Sequence, residues 1–107
     1  MLLIFGMNTM TAAASFSPQA GLYYVKESHG VTFHIYTTPL EEGASASVVI
    51  ETPHALILQD VQEAKPYNDE LKALIASLSK PVERIYLSHD HDHHWIGLEA
   101  FAGVPVY

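Results

Sequence analysis

The sequence of 107 residues contains no cysteine. That absence excludes disulfide frameworks, thiolate-bound metal and cysteine nucleophiles together. Redox compartment stays open, because a chain without thiols suits any redox poise. Basic residues are scarce, five against twelve acidic ones, for a net charge of −7. Such a surface repels phosphate backbones, so no nucleic-acid partner is expected. An anionic substrate remains compatible, since bound metal neutralises charge locally. No apolar run approaches the ~20 residues that cross a bilayer, so no membrane span is expected. Internal repeats and low-complexity tracts are also missing, which excludes solenoids and tail-like chains.

What is present is globular in composition, with 49% apolar and 16% charged residues. The length bounds the chain to one small domain, or a piece of a larger one. Met1-Leu2-Leu3-Ile4-Phe5 and the small residues Ala12-Ala13-Ala14-Ser15 resemble parts of an export signal. No Lys or Arg precedes the apolar run, so the positive n-region of such a signal is missing. Periplasmic or secreted placement therefore fits as well as cytoplasmic. Residues 1–19 are expected to be a leader or disordered N-terminus, and 20–107 to form the domain.

Gly21–Glu27 and Val31–Thr37 read as strands rich in aromatic and β-branched residues, joined by the turn Ser28-His29-Gly30. Pro39–Gly43 is a loop. Ala46–Glu51 and His54–Asp60 read as two further strands in a hairpin through Thr52-Pro53. The period then changes: Leu71, Leu74, Ile75 and Leu78 form one helical stripe. Asn68 is the expected N-cap, with Asp69 and Glu70 in the first turn, and Lys80-Pro81 ends the helix. Val82–Ser88 is a fifth strand, His89–His94 a polar loop, Trp95–Ala102 a short helix. Val104–Tyr107 reads as a sixth strand that starts where the chain stops, as expected of a half-domain. The order β-β-β-β-α-β-loop-α-β predicts an α/β protein with helices on an outer sheet face.

Four of the seven histidines fall within six residues: Ser88-His89-Asp90-His91-Asp92-His93-His94-Trp95-Ile96-Gly97. The run leaves the C-terminal end of an apolar strand, where α/β architectures place ligand sites. In extended backbone His89 and His91 face one side. A helical turn after His91 brings His94 toward the same side. Imidazole nitrogen binds zinc, iron or nickel, and three or four such ligands at about 2.0–2.1 Å define a zinc site. Asp90 and Asp92 are placed to accept hydrogen bonds from ring N–H groups. A solvated loop is the bland alternative; four histidines alternating with two acids argue against it. His34 reads as a packed or surface residue within its strand, and His54 as a turn residue.

These residues resemble the H-x-H-x-D-H motif of the metallo-β-lactamase-fold hydrolases. His89, His91 and His94 match the motif histidines, and Gly97 matches its trailing glycine. Leu56-Ile57-Leu58-Gln59-Asp60 resembles the strand whose terminal aspartate supports the site. The resemblance covers residues 20–107 and implies an αββα sandwich of which only the N-terminal half is present. By that resemblance His89 and His91 bind a first metal and His94 a second. It implies zinc, one or two ions in the full-length protein, with iron or manganese as alternatives. The implied activity is attack of metal-activated water on a carbonyl, thioester or phosphoester bond of a small-molecule substrate that is not identified.

The chain departs from the pattern at the family's aspartate, which His93 replaces. Either His93 ligates in its place or Asp92, one residue earlier, supplies the carboxylate. The family's remaining ligands follow further along than Tyr107. The sequence therefore supports two expectations: a metal-dependent hydrolase whose isolated fragment is inactive, and a histidine-rich metal-binding module without turnover. A (β/α)8 amidohydrolase barrel is disfavoured, because four strands precede the first clear helix. Association through an exposed sheet edge is also expected.

Overall fold

The computed structural model describes residues 16–88 and 97–107. Five strands form one sheet in sequence order: β1 (Leu22–Ser28), β2 (Val31–Thr37), β3 (Ala46–Glu51), β4 (Leu56–Gln59) and β5 (Val82–Tyr86). The pairs β1–β2, β2–β3 and β3–β4 are antiparallel, and β5 runs parallel to β4. Antiparallel neighbours need only short turns, whereas a parallel pair needs a crossover. Helix α1 (Lys65–Leu78) supplies it. His29 and Gly30, both at positive φ, make the two-residue turn between β1 and β2. That backbone twists with the strands it joins.

Alternation assigns the faces. Val25, His34, Val49, Leu58 and Ile85 lie in one cross-strand row, and Tyr23, Tyr36 and Ser47 in the next. This side meets α1. Leu71, Leu74 and Leu78 of the helix are buried in one cluster with Tyr36, Val49, Leu56, Leu58, Val61 and Ile85. Full burial of a leucine contributes roughly 1.5–3 kcal/mol, so this helix stripe is a main source of cohesion. The opposite face carries Phe33, Ile35, Val48, Ile50 and Ile57, which are only part-buried.

Several boundaries differ from the sequence expectation. The helix starts at Lys65, not after Asn68. Pro66 in the first turn is the reason, because its fixed φ suits that position and its missing N–H costs nothing there. Asn68 is thus inside the helix and does not cap it. Strand β4 begins at Leu56, because Thr52 closes a turn onto the Ala55 carbonyl at 3.0 Å and holds His54 in that turn. In place of an α-helix after Trp95, the described residues form a 3-10 helix, Gly97–Phe101. The expected sixth strand is one parallel bridge, Ile85 with Val106. It extends the sheet beyond β5 through Ile85 N–H to Pro105 O (2.9 Å), Tyr107 N–H to Ile85 O (2.8 Å) and Leu87 N–H to Tyr107 O (3.0 Å).

The segment before β1 is latched to the helix. Glu70 accepts the backbone N–H groups of Gln19 (2.6 Å), Ala20 (2.9 Å) and Gly21 (2.9 Å), and the Tyr36 hydroxyl (2.6 Å). Phe16 packs edge-on against Tyr23, ring centroids 5.0 Å apart. Burial raises the Glu70 pKa, but the Tyr36 hydroxyl and these N–H groups outweigh it, so the carboxyl titrates below its ordinary value. Among the described residues no helix is long and apolar enough to cross a membrane.

Two outcomes follow from the latch. A methyl at residue 21 would collide with the buried Tyr36 ring and hydroxyl. Gly21→Ala should therefore cost about 1–3 kcal/mol in urea unfolding. The depressed Glu70 pKa gives stability that is present above the unfolded-state value and lost as pH falls through the folded one. Unfolding measured along that acid limb should fall less steeply in Glu70→Gln than in the parent.

Candidate metal site

Strands β4 and β5 are parallel, so their C-terminal ends open at the same edge of the sheet. Asp60 follows β4, in the left-handed region at φ 64° and only 6% exposed. An aspartate tolerates that conformation better than most residues. Its N–H donates to Tyr86 O at 2.8 Å, which carries the β4–β5 pairing one step past Gln59. Its carboxylate then holds Ser88: Oδ1 accepts the Ser88 N–H at 2.8 Å, and Oδ2 accepts the Ser88 hydroxyl at 2.5 Å. Ser88 is the residue before His89. On the other side of β5, Leu87 is bonded to Tyr107. The backbone is thus gripped from both sides up to the point where the histidine run leaves it.

The expected ligands His89, His91, His93 and His94, the flanking Asp90 and Asp92, and Trp95 all lie outside the described residues. So does the region 1–15 of the expected leader. Gly97 is the first residue of the 3-10 helix on the far side of the run. Among the described residues, no three or more His, Cys, Asp or Glu side chains come together in a metal-holding group. The described residues therefore meet the run on either side at Ser88 and Gly97.

Val61 and Gln62, just after Asp60, are buried. The Gln62 amide donates to Ser45 O (3.1 Å) and Ser47 Oγ (2.9 Å), tying the segment after β4 to β3. Sequence pattern did not reveal this anchor, because one glutamine in a polar stretch carries no periodic signal.

The other histidines are elsewhere. His29 and His54 are exposed in turns. His34 is 1% exposed and bonded at both ring nitrogens, to Tyr23 Oη at 2.8 Å and Glu51 Oε1 at 2.7 Å. Lys80 Nζ donates to Glu51 Oε2 at 2.6 Å and to Thr52 O at 2.9 Å. Burial raises the Glu51 pKa, but Lys80 and His34 more than reverse this and hold the carboxyl below its ordinary value. An ionised carboxylate only accepts, so Nε2 of His34 carries hydrogen. Burial, with the nearby Glu51 charge, pushes the Tyr23 hydroxyl up to about 12. It stays protonated and lies 2.8 Å from Nδ1 of His34. This chain of four groups was not foreseen. One signal was available: Glu51 shares the strand parity of buried Val49, which sets an acid on the helix-covered face.

No protein-family model matches the chain, and no curated protein does. Solved structures do. The metallo-β-lactamase from Pontibacter korlensis is 27% identical over 79% of this chain, with a TM-score of 0.55. The metallo-β-lactamase FIM-1 from Pseudomonas aeruginosa, solved in a mono-zinc form, is 21% identical over 84% of the chain, with a TM-score of 0.57. The chain spans 42% of the length of each. The mixed α/β architecture of five strands and one long helix is the N-terminal half of the metallo-β-lactamase αββα fold. The chain is thereby related to the metallo-β-lactamase-fold superfamily.

The Asp60–Ser88 contact is testable by a double-mutant cycle. Asp60→Asn, Ser88→Ala and the double variant should show a coupling of about 0.5–3 kcal/mol in urea unfolding. Additivity within about 0.3 kcal/mol would show that the contact contributes no stability.

Proposed function

We propose that the chain forms the N-terminal half of a metal-dependent hydrolase site, with His89, His91 and His94 as metal ligands. The observation that supports this most is the Asp60 carboxylate holding Ser88 at the root of the histidine run. A ligand loop must leave its strand in one direction if neighbouring imidazoles are to meet at one point. The donor set suits the group: neutral imidazoles bind zinc, and manganese or iron tolerate them with carboxylates. When bound, such a metal lowers the pKa of a water toward ~7 and polarises a substrate carbonyl or phosphoryl oxygen.

The residues of this chain divide the work. His89 and His91 hold the first ion and His94 contributes to a second. His93 or Asp92 stands at the position of the family's carboxylate, and Gly97 ends the loop. Asp60 is a positioning residue, since it acts through Ser88. The substrate is a small molecule with a carbonyl, thioester or phosphoester bond. A second reading, a metal-binding module without turnover, is favoured by one observation: His93 puts an imidazole where the family's pattern has an anionic carboxylate. Because this chain spans less than half the length of its structural relatives, activity is proposed for the full-length protein and weak metal binding for residues 1–107 by themselves.

Metal analysis of the full-length protein after zinc loading tests both readings. His89→Ala and His91→Ala should each lower zinc affinity beyond the about 10–100-fold that follows loss of a residue that only orients a ligand. His93→Asp should raise occupancy of a second ion and, on the hydrolase reading, the rate. Unchanged zinc content in both alanine variants would end the proposal. A well-loaded protein that hydrolyses no ester, thioester, lactam or phosphoester before or after His93→Asp would select the binding module.

A further inference from the structure

The far side of the sheet from the candidate site ends in β1. Among the described residues, β1 pairs only with β2, whereas the opposite border is covered by the bridge from Val106. Strand β1 is seven residues long, holds no proline, and is flanked by a tight turn. Its side chains include three of the exposed large apolar groups, Leu22 (46%), Tyr24 (55%) and Val25 (44%). Long unpaired edges with apolar side chains are usually blunted by proline, bulges or charge. Here the central lysine Lys26 is the main such device.

The register shows which backbone groups are unused. Ser28 opposes Val31 across the two-residue turn, so these two exchange hydrogen bonds. Bonded and non-bonded pairs alternate along an antiparallel ladder. Lys26, Tyr24 and Leu22 therefore direct their N–H and C=O groups at β2. Tyr23, Val25 and Glu27 direct theirs outward.

We propose that this edge binds a second copy of the chain, β1 against β1, antiparallel about a two-fold axis at Val25. Val25 is the midpoint of Leu22–Ser28. About that point Val25 meets its own copy, and Tyr23 meets Glu27 of the second copy on either side. These are the three outward-directed residues, so every unused N–H and C=O of the strand finds a partner. Tyr24 falls opposite Lys26 of the second copy, at a non-bonded pair where side chains come closest. An aromatic ring beside an ammonium is favourable there. Moving the axis to Lys26 or Glu27 puts like charges opposite each other, which is destabilising. Moving it to Tyr24 leaves Glu27 without a partner in the ladder. The strand is therefore self-complementary in hydrogen bonding and charge in one register only. The product is a continuous sheet across the axis, with the two β5 strands toward its far ends. This inference does not depend on the metal reading.

Sedimentation velocity of the full-length protein over a concentration series tests it. The parent should show a reversible monomer–dimer equilibrium. Val25→Pro removes an outward N–H and leaves the β2 pairing intact, as proline is tolerated at such edge positions. It should leave monomer only. Val25→Lys and Val25→Glu each place like charges on the axis and should weaken the dimer at least about tenfold, or ~1.4 kcal/mol. An equimolar mixture of the two should recover a dimer of one copy of each. A parent that stays monomeric throughout overturns the proposal. So does an unchanged dimer in folded Val25→Pro, or a Lys/Glu mixture that stays monomeric. Should Val25→Pro fail to fold, the Lys/Glu pair decides.

Discussion

Strands β4 and β5 are joined beyond their regular ladder by one carboxylate. Asp60 bonds the Tyr86 carbonyl through its own N–H and clasps Ser88 through both side-chain oxygens. A hydrogen bond to a charged group contributes about 1.5–3 kcal/mol, roughly twice a neutral one. Its position matters more than its strength. Among the paired strands β1 to β5, the parallel pair is the one that cannot form from a local hairpin, because α1 lies between its strands. Asp60, at the start of that crossover, is tied to Ser88, the residue before the histidine run. The bonds of Leu87 and Ile85 to residues 105–107 close the other side. Direction of the loop root, packing of the crossover helix and closure of the sheet thus converge on residues 60 and 86–88.

The rest of the sheet is fastened by two further carboxylates of different character. Glu70 gathers backbone N–H groups ahead of β1 and the hydroxyl of buried Tyr36. Glu51 sits between His34 and Lys80. Both titrate below their ordinary value despite the opposing effect of burial. Each keeps its charge because donors surround it, the condition under which a part-buried carboxylate is retained rather than neutralised. The chain is acidic overall, yet the acids that organise it are the ones with partners. Their stabilisation is present above the unfolded carboxylate pKa and fades as pH falls through the folded value.

Much of the fold was legible because its signals are periodic. Strand alternation around Phe33–Tyr36 and Val48–Ile50, and the leucine stripe 71–78, mark which side chains are apolar and at what spacing. Asp60 was legible for another reason: it ends an apolar strand at the place a ligand site needs support, and the resemblance to the metallo-β-lactamase fold drew attention to it. What pattern alone missed was long-range or unperiodic. Pro66 moved the helix start, since a proline that breaks a helix interior is welcome in the first turn. Glu70 looked like a first-turn acid favoured by the dipole and proved to be an acceptor for residues about fifty positions away. The partners of His34 lie 11 and 17 residues off, on neighbouring strands, and only the register brings them together.

The histidine run lies in the sequence between Ser88, which Asp60 holds, and Gly97, which opens the 3-10 helix. The most direct measurement is zinc K-edge X-ray absorption on the zinc-loaded full-length protein. The predicted result is an imidazole-nitrogen shell at about 2.0–2.1 Å that loses scatterers in His89→Ala and His91→Ala. A shell of oxygen alone, or an imidazole shell indifferent to both substitutions, would contradict it.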